Sequence, residues 1–181
     1  MEGLPIYILL DTSGSMHGEP IMALQNGLQV IIAAFRRSLS TFQKVNFSLI
    51  TFGDKAELLT PLTDIEDFVM PQLNCNGCTA LGDAFTLAAT EVAQHQLDNE
   101  KVRIETWKPI IFVITDGEPT DEYAQGLLLL RNQNISSVVV CLANQEAKVT
   151  DPWLADISEN IVTLDTADST VLMSYAMRVE K

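Results

Sequence analysis

The chain has 181 residues, 47% of them apolar, and its 24 acidic against 11 basic side chains give a formal charge of −13. This length suits one domain over residues 1–181 with a single sizeable core better than two small domains. The charge excludes a surface built for nucleic-acid phosphates or an anionic membrane face, since Arg36, Arg37 and Lys44 alone approach a basic patch.

Leu4–Leu10 is a near-continuous apolar run, which predicts a strand buried on both faces and ending at Asp11. It has no basic flank or small-residue cleavage site and is too short to span a bilayer, so no targeting signal is expected. Pro20 then opens an amphipathic helix carrying Ile21, Leu24, Leu28, Ile31, Ile32 and Phe35 at helical spacing. Val45–Phe52 and Ala56–Leu62 are predicted strands joined by a tight turn at Gly53-Asp54, an antiparallel hairpin at the sheet edge. Asp64–Met70 is expected as a short helix before Pro71, and the Asn- and Gly-rich run Gln72–Cys78 as a loop.

Helical spacing resumes at Leu81, Phe85, Ala88 and Val92, and the polar stretch His95–Lys108 is expected to be the longest exposed connection. Pro109–Thr115 predicts another buried strand, ending at Asp116-Gly117. A helix starting near Pro119–Asp121 and carrying Tyr123 and Leu127–Leu130, a strand at Ser136–Leu142, a short helix opened by Asp151-Pro152, a strand at Ile161–Leu164 and a helix over Thr170–Arg178 complete the chain. Alternating strands and helices define an α/β class with a mostly parallel sheet covered on both faces. Ligands of such sheets bind beyond the carboxyl ends of the strands, where the strand order reverses. Asp11 and Asp116 both end apolar strands and are predicted to converge.

Three cysteines argue against a disulfide framework and for a reducing cytoplasm. Cys75 and Cys78 form a C-x-x-C pair, but zinc needs two more soft ligands, and Cys141, His17 and His95 are scattered; free thiols are expected. The oxygen donors form a better pattern. Asp11-Thr12-Ser13-Gly14-Ser15 sets two hydroxyls at alternate positions after a strand-terminal carboxylate, and Thr79 offers a third hydroxyl at a helix start. Together with Asp116 these groups suit a hard cation such as magnesium, which takes only oxygen ligands. Neutral hydroxyls beside the ion leave it electropositive enough to accept one more anionic oxygen, and a partner's Asp or Glu is the natural donor.

Asp11-x-Ser13-x-Ser15, a separate Thr79 and the strand-ending Thr115-Asp116-Gly117 resemble the metal-ion-dependent adhesion site of the von Willebrand factor A domain, and the element order resembles that family along nearly the whole chain. Leu4-Pro5-Ile6-Tyr7, Gly18-Glu19-Pro20-Ile21 and Thr115-Asp116-Gly117-Glu118-Pro119-Thr120-Asp121 resemble the bacterial TerY-like proteins associated with tellurium resistance. The resemblance implies a Rossmann-like six-stranded sheet with one antiparallel edge strand. It further implies magnesium, manganese or calcium bound by Ser13, Ser15 and Thr79, with Asp11 and Asp116 acting directly or through water. Its implied partners are a protein kinase-like protein and a metal-dependent serine/threonine phosphatase. The run Cys75-Asn76-Gly77-Cys78 has no place in that pattern.

Catalytic readings fare worse. A haloacid dehalogenase type of phosphatase needs a second Asp two residues after the nucleophile as general acid, and position 13 is Ser. No late-strand lysine suits a receiver domain, no phosphate-binding G-x-x-x-x-G-K-[ST] loop is present, and two histidines offer no nucleophilic triad. A non-enzymatic protein is expected, with a metal-independent structural subunit as the other alternative.

Overall fold

The structure is a computed structural model that describes residues 3–37, 44–104, 107–143, 151–158, 160–163 and 174. Every residue of strand β1, Leu4–Asp11, is buried. Alternate side chains leave a strand on opposite faces, so Leu4, Ile6, Ile8 and Leu10 join one apolar cluster and Tyr7 and Leu9 the other. This one strand therefore anchors both halves of the core. Parallel partners flank it: β2, Val45–Phe52, on one side and β4, Ile110–Thr115, on the other. The six-stranded order is β3-β2-β1-β4-β5-β6, completed by β3 (Ala56–Asp64), β5 (Ser137–Leu142) and β6 (Asn160–Thr163). Only β3 runs antiparallel, as the tight Gly53-Asp54 turn requires.

Helix α1, Glu19–Arg37, buries Leu24, Leu28, Ile31, Ile32 and Phe35 on one face of the sheet. Helix α2, Leu81–Val102, buries Leu81, Ala84, Phe85, Ala88 and Val92 on the other, where α3, Ala124–Arg131, and α4, Pro152–Ile157, also pack. α2 and α3 approach so closely that a Cβ on Gly126 would stand 2.3 Å from the Gly82 carbonyl oxygen. Among the described residues no helix is long and apolar enough to cross a membrane.

Two expectations fail here. The stretch Asp64–Met70 is a turn, not a helix. Asp64 Oδ1 accepts the Glu66 N–H at 3.0 Å, and Arg36 donates to the Ile65 carbonyl through Nε at 3.2 Å and Nη2 at 2.9 Å, so side chains satisfy the backbone that a helix would have satisfied. Met70 also precedes Pro71, which disfavours helical backbone. The second failure is His95–Lys108, expected as a connection: α2 continues to Val102 and ends at Arg103 in the left-handed region, φ 55°. Its polar last turns are held by side-chain pairs one turn apart, Gln94 to Asp98 at 2.9 Å, Lys101 to Asp98 at 2.8 Å and Asn99 to His95 at 3.1 Å. The helix expected over Thr170–Arg178 lies outside the described residues, Ser174 apart.

Phe47 is the hub of one cluster, with edge-on contacts to Phe35 and Phe68 at centroid separations of 5.7 Å each. Replacing Phe47 by Ala should destabilise the protein by about 3–5 kcal/mol, measured by urea unfolding, and a loss under about 1 kcal/mol would contradict this packing.

Candidate metal centre

β1 and β4 are adjacent strands from which the chain departs in opposite directions, so their carboxyl ends border the point where strand order reverses. Asp11, fully buried, ends β1. Its Oδ1 accepts the Ser13 N–H at 2.8 Å, which curls the following loop, and its Oδ2 accepts the Thr115 hydroxyl at 2.5 Å from the end of β4. Ser13 Oγ lies 2.9 Å from Ser15 Oγ, and Ser15 Oγ donates to Asp116 Oδ1 at 2.9 Å. The result is a run of hydrogen bonds from Thr115 through Asp11, Ser13 and Ser15 to Asp116, closed into a ring because Thr115 and Asp116 are consecutive residues. Four of the five sequence-predicted residues thus meet, Asp116 joining three that stand within five positions of one another.

The fifth, Thr79, is placed by its backbone. Its N–H donates to Thr120 Oγ1 at 2.9 Å, and its carbonyl accepts the Thr120 N–H at 3.0 Å, which clamps it to the loop after Asp116. The residues before it are stitched to the Ser13 loop, Asn76 N–H to the Thr12 carbonyl at 2.8 Å and Gly14 N–H to the Gly77 carbonyl at 3.0 Å. Three loops are therefore laced together by backbone bonds around one rim. Ser13 and Thr79 are buried there, Asp116 is half-buried and Ser15 is exposed, so the ring opens to solvent on one side.

Sequence reasoning missed the supports. Thr115, which positions Asp11, and Thr120, which clamps Thr79, are signalled only by their places beside Asp116. Asp121 takes the N–H groups of Gly82 and Asp83 at 3.0 and 3.1 Å, capping α2 across space, while Asp83 Oδ2 accepts the Ala56 N–H at 2.7 Å. Met16, in the loop after Asp11, is wholly buried against the α1 cluster.

Burial pushes the Asp11 carboxyl above the usual carboxylate range; the bonds from Thr115 and Ser13 oppose this, and the neighbouring charge of Asp116 adds to it. Burial likewise raises the Cys75 thiol, with smaller contributions from Asp11 and Asp116. A buried carboxylate beside a second carboxylate lacks positive charge. The donors brought together here, carboxylates and hydroxyls, are all oxygen, a set that suits a hard dication.

Asp11→Asn tests this electrostatic picture in metal-free protein. The amide keeps an acceptor for Ser13 and removes the buried charge. Because the folded Asp11 is harder to ionise than the unfolded one, its ionisation costs stability progressively as pH rises through the folded value, and costs nothing below the ordinary value of about 4. The variant should melt above wild type at pH 7 and converge with it near pH 4; a lower melting temperature at pH 7 would refute the picture.

A sequence profile of the von Willebrand factor type A domain matches residues 6–118, more than half of the chain and the whole span from Asp11 to Asp116. The chain belongs to the von Willebrand factor type A domain family. Its fold is similar to that of an aerotolerance-related membrane protein from Bacteroides fragilis, with a TM-score of 0.59 and 16% identity over 97% of this chain and 98% of that one. It is similar also to manganese-loaded TRAP protein from Plasmodium vivax, TM-score 0.57, 19% identity, 96% and 72% covered. A third likeness is to proximal thread matrix protein 1 from the mussel byssus with a zinc-occupied MIDAS motif, TM-score 0.56, 18% identity, 98% and 46% covered. Comparison with curated proteins gives no match.

Proposed function

We propose that Asp11, Ser13, Ser15, Thr79 and Asp116 hold a divalent cation, magnesium before manganese or calcium, and that the site captures an Asp or Glu side chain of a partner protein. The run of hydrogen bonds joining Asp11, Ser13, Ser15 and Asp116 carries this reading. The cation supplies an electropositive position for one more anionic oxygen. The chain's own residues do the rest: Thr115 and the Ser13 N–H orient the Asp11 carboxylate, Thr120 and the Gly77 carbonyl set the Thr79 loop, and exposed Ser15 leaves the open side toward the visitor. That TRAP protein is manganese-loaded and that the mussel protein has a zinc-occupied MIDAS motif supports a divalent ion in this fold.

The module is a non-catalytic adaptor in this reading, working in the cytoplasm. The TerY-like sequence runs support a role in a tellurium-resistance or stress-response system, with a kinase-like protein and a metal-dependent serine/threonine phosphatase as partners. An acidic protein of this charge repels acidic partners at long range. The cation then acts as the local exception that admits one carboxylate.

Manganese or magnesium at a hundred times its dissociation constant should stabilise the protein by about 2.7 kcal/mol, a rise of about 5–10 °C in Tm. Thr115→Val, which removes the hydroxyl on Asp11, should weaken the metal about 10–100-fold in calorimetry with the fold intact. Partner capture from lysate should depend on magnesium and vanish in chelator and in Asp11→Ala or Asp116→Ala. Full partner binding by the metal-free Asp11→Ala/Asp116→Ala protein would refute the proposal.

A further inference from the structure

Cys75 and Cys78 belong neither to the fold's regular elements nor to the proposed ligand set. Both thiols are free, and they bracket Asn76-Gly77 in the loop that runs directly into Thr79. Gly77 has φ +77°, and the backbone makes a local turn there, between the two cysteines. Two residues separate them, the C-x-x-C spacing at which neighbouring thiols join in dithiol–disulfide pairs.

The same turn is seated against the metal centre. Asn76 N–H is bonded to the Thr12 carbonyl at 2.8 Å, the Gly77 carbonyl accepts the Gly14 N–H at 3.0 Å, and Cys78 N–H donates to Asp54 Oδ1 at 2.9 Å. The fit is tight, since a Cβ on Gly77 would stand 2.3 Å from Asp54 Oδ1. Cys75 is half-buried and packs against the α1 side of the core, whereas Cys78 is exposed. Joining the sulfurs draws one of them out of its present surroundings, and the peptides carrying those three bonds move with it.

We infer that Cys75 and Cys78 form a reversible thiol–disulfide site, oxidised by a hydroperoxide, whose closure weakens the adjoining divalent-cation site. Exposed Cys78 meets the oxidant. Its sulfur takes one peroxide oxygen as the O–O bond breaks, and the other oxygen leaves as water or alcohol with the thiol proton. The Cys75 sulfur then attacks the Cys78 sulfur; the S–S bond forms, the S–O bond breaks, and hydroxide departs as water with the Cys75 proton. Two electrons pass from the thiols to the peroxide, and a dithiol reductant reverses the change. Cys141, fully buried, stands apart.

The effect on metal rests on the ligand assignment above, so the test reads the two separately, using whole protein, hydrogen peroxide and manganese. Disulfide mapping by mass spectrometry should find Cys75 joined to Cys78 after peroxide, and calorimetry should show manganese affinity falling at least tenfold and recovering in dithiothreitol. Cys75→Ser and Cys78→Ser should keep the affinity of reduced wild type and lose the response. Thiols that stay free, or a mapped disulfide with unchanged manganese affinity, would overturn the inference. Absence of manganese binding by reduced wild type would overturn the ligand assignment and, with it, the control of metal.

Discussion

The Asp11 carboxylate is the constraint on which the rest turns. It ends the central strand of the sheet, fully buried, held by a backbone N–H two residues ahead and by a hydroxyl from the neighbouring strand. A buried charge without a counter-charge is expensive, and here a second carboxylate, Asp116, adds to the cost. The β1–β4 pairing cannot relieve this, because the register that buries Leu10 against Ile114 also brings Asp11 to Thr115. Negative charge concentrated at the switch point is what a cation would offset, and that is the physical content of the functional proposal.

The remaining architecture serves to keep three loops in register. Thr120 fixes Thr79 at both its N–H and its carbonyl, and Asp121 in the next position caps α2. The close approach of Gly82 and Gly126 lets α3 lie against α2, keeping the loop after Asp116 over the start of α2. Displacement of any one of these elements would be felt at the ring, because backbone bonds transmit it without slack. The Cys75–Cys78 segment lies within the lacing and not beside it.

Much of this was legible in the residues. Leu4–Leu10 and Pro109–Ile114 are near-continuous apolar runs, the pattern of a strand covered on both faces, and each leads to an acid at the same sheet edge. The hairpin at Gly53-Asp54 announced the antiparallel edge. What could not be read were interactions that depend on distant partners. The stretch Asp64–Met70 has helix-compatible composition, and the arrival of Arg36 from α1, together with the local Asp64–Glu66 bond, decides against the helix. The end of α2 is mostly polar and its apolar Leu97 and Val102 are exposed, so periodicity gave no sign of it; side-chain pairs such as Gln94 with Asp98 support it. Thr115 and Thr120 look like ordinary loop threonines until the fold shows what each hydroxyl holds.

A crystal grown in manganese, measured at a wavelength where the ion scatters anomalously, tests the central claim most directly. The account predicts one strong peak bordered by the Ser13, Ser15 and Thr79 hydroxyls and by the carboxylates of Asp11 and Asp116, directly or through water. A crystal with ample manganese and no peak there, or with these groups turned away from one another, would contradict it.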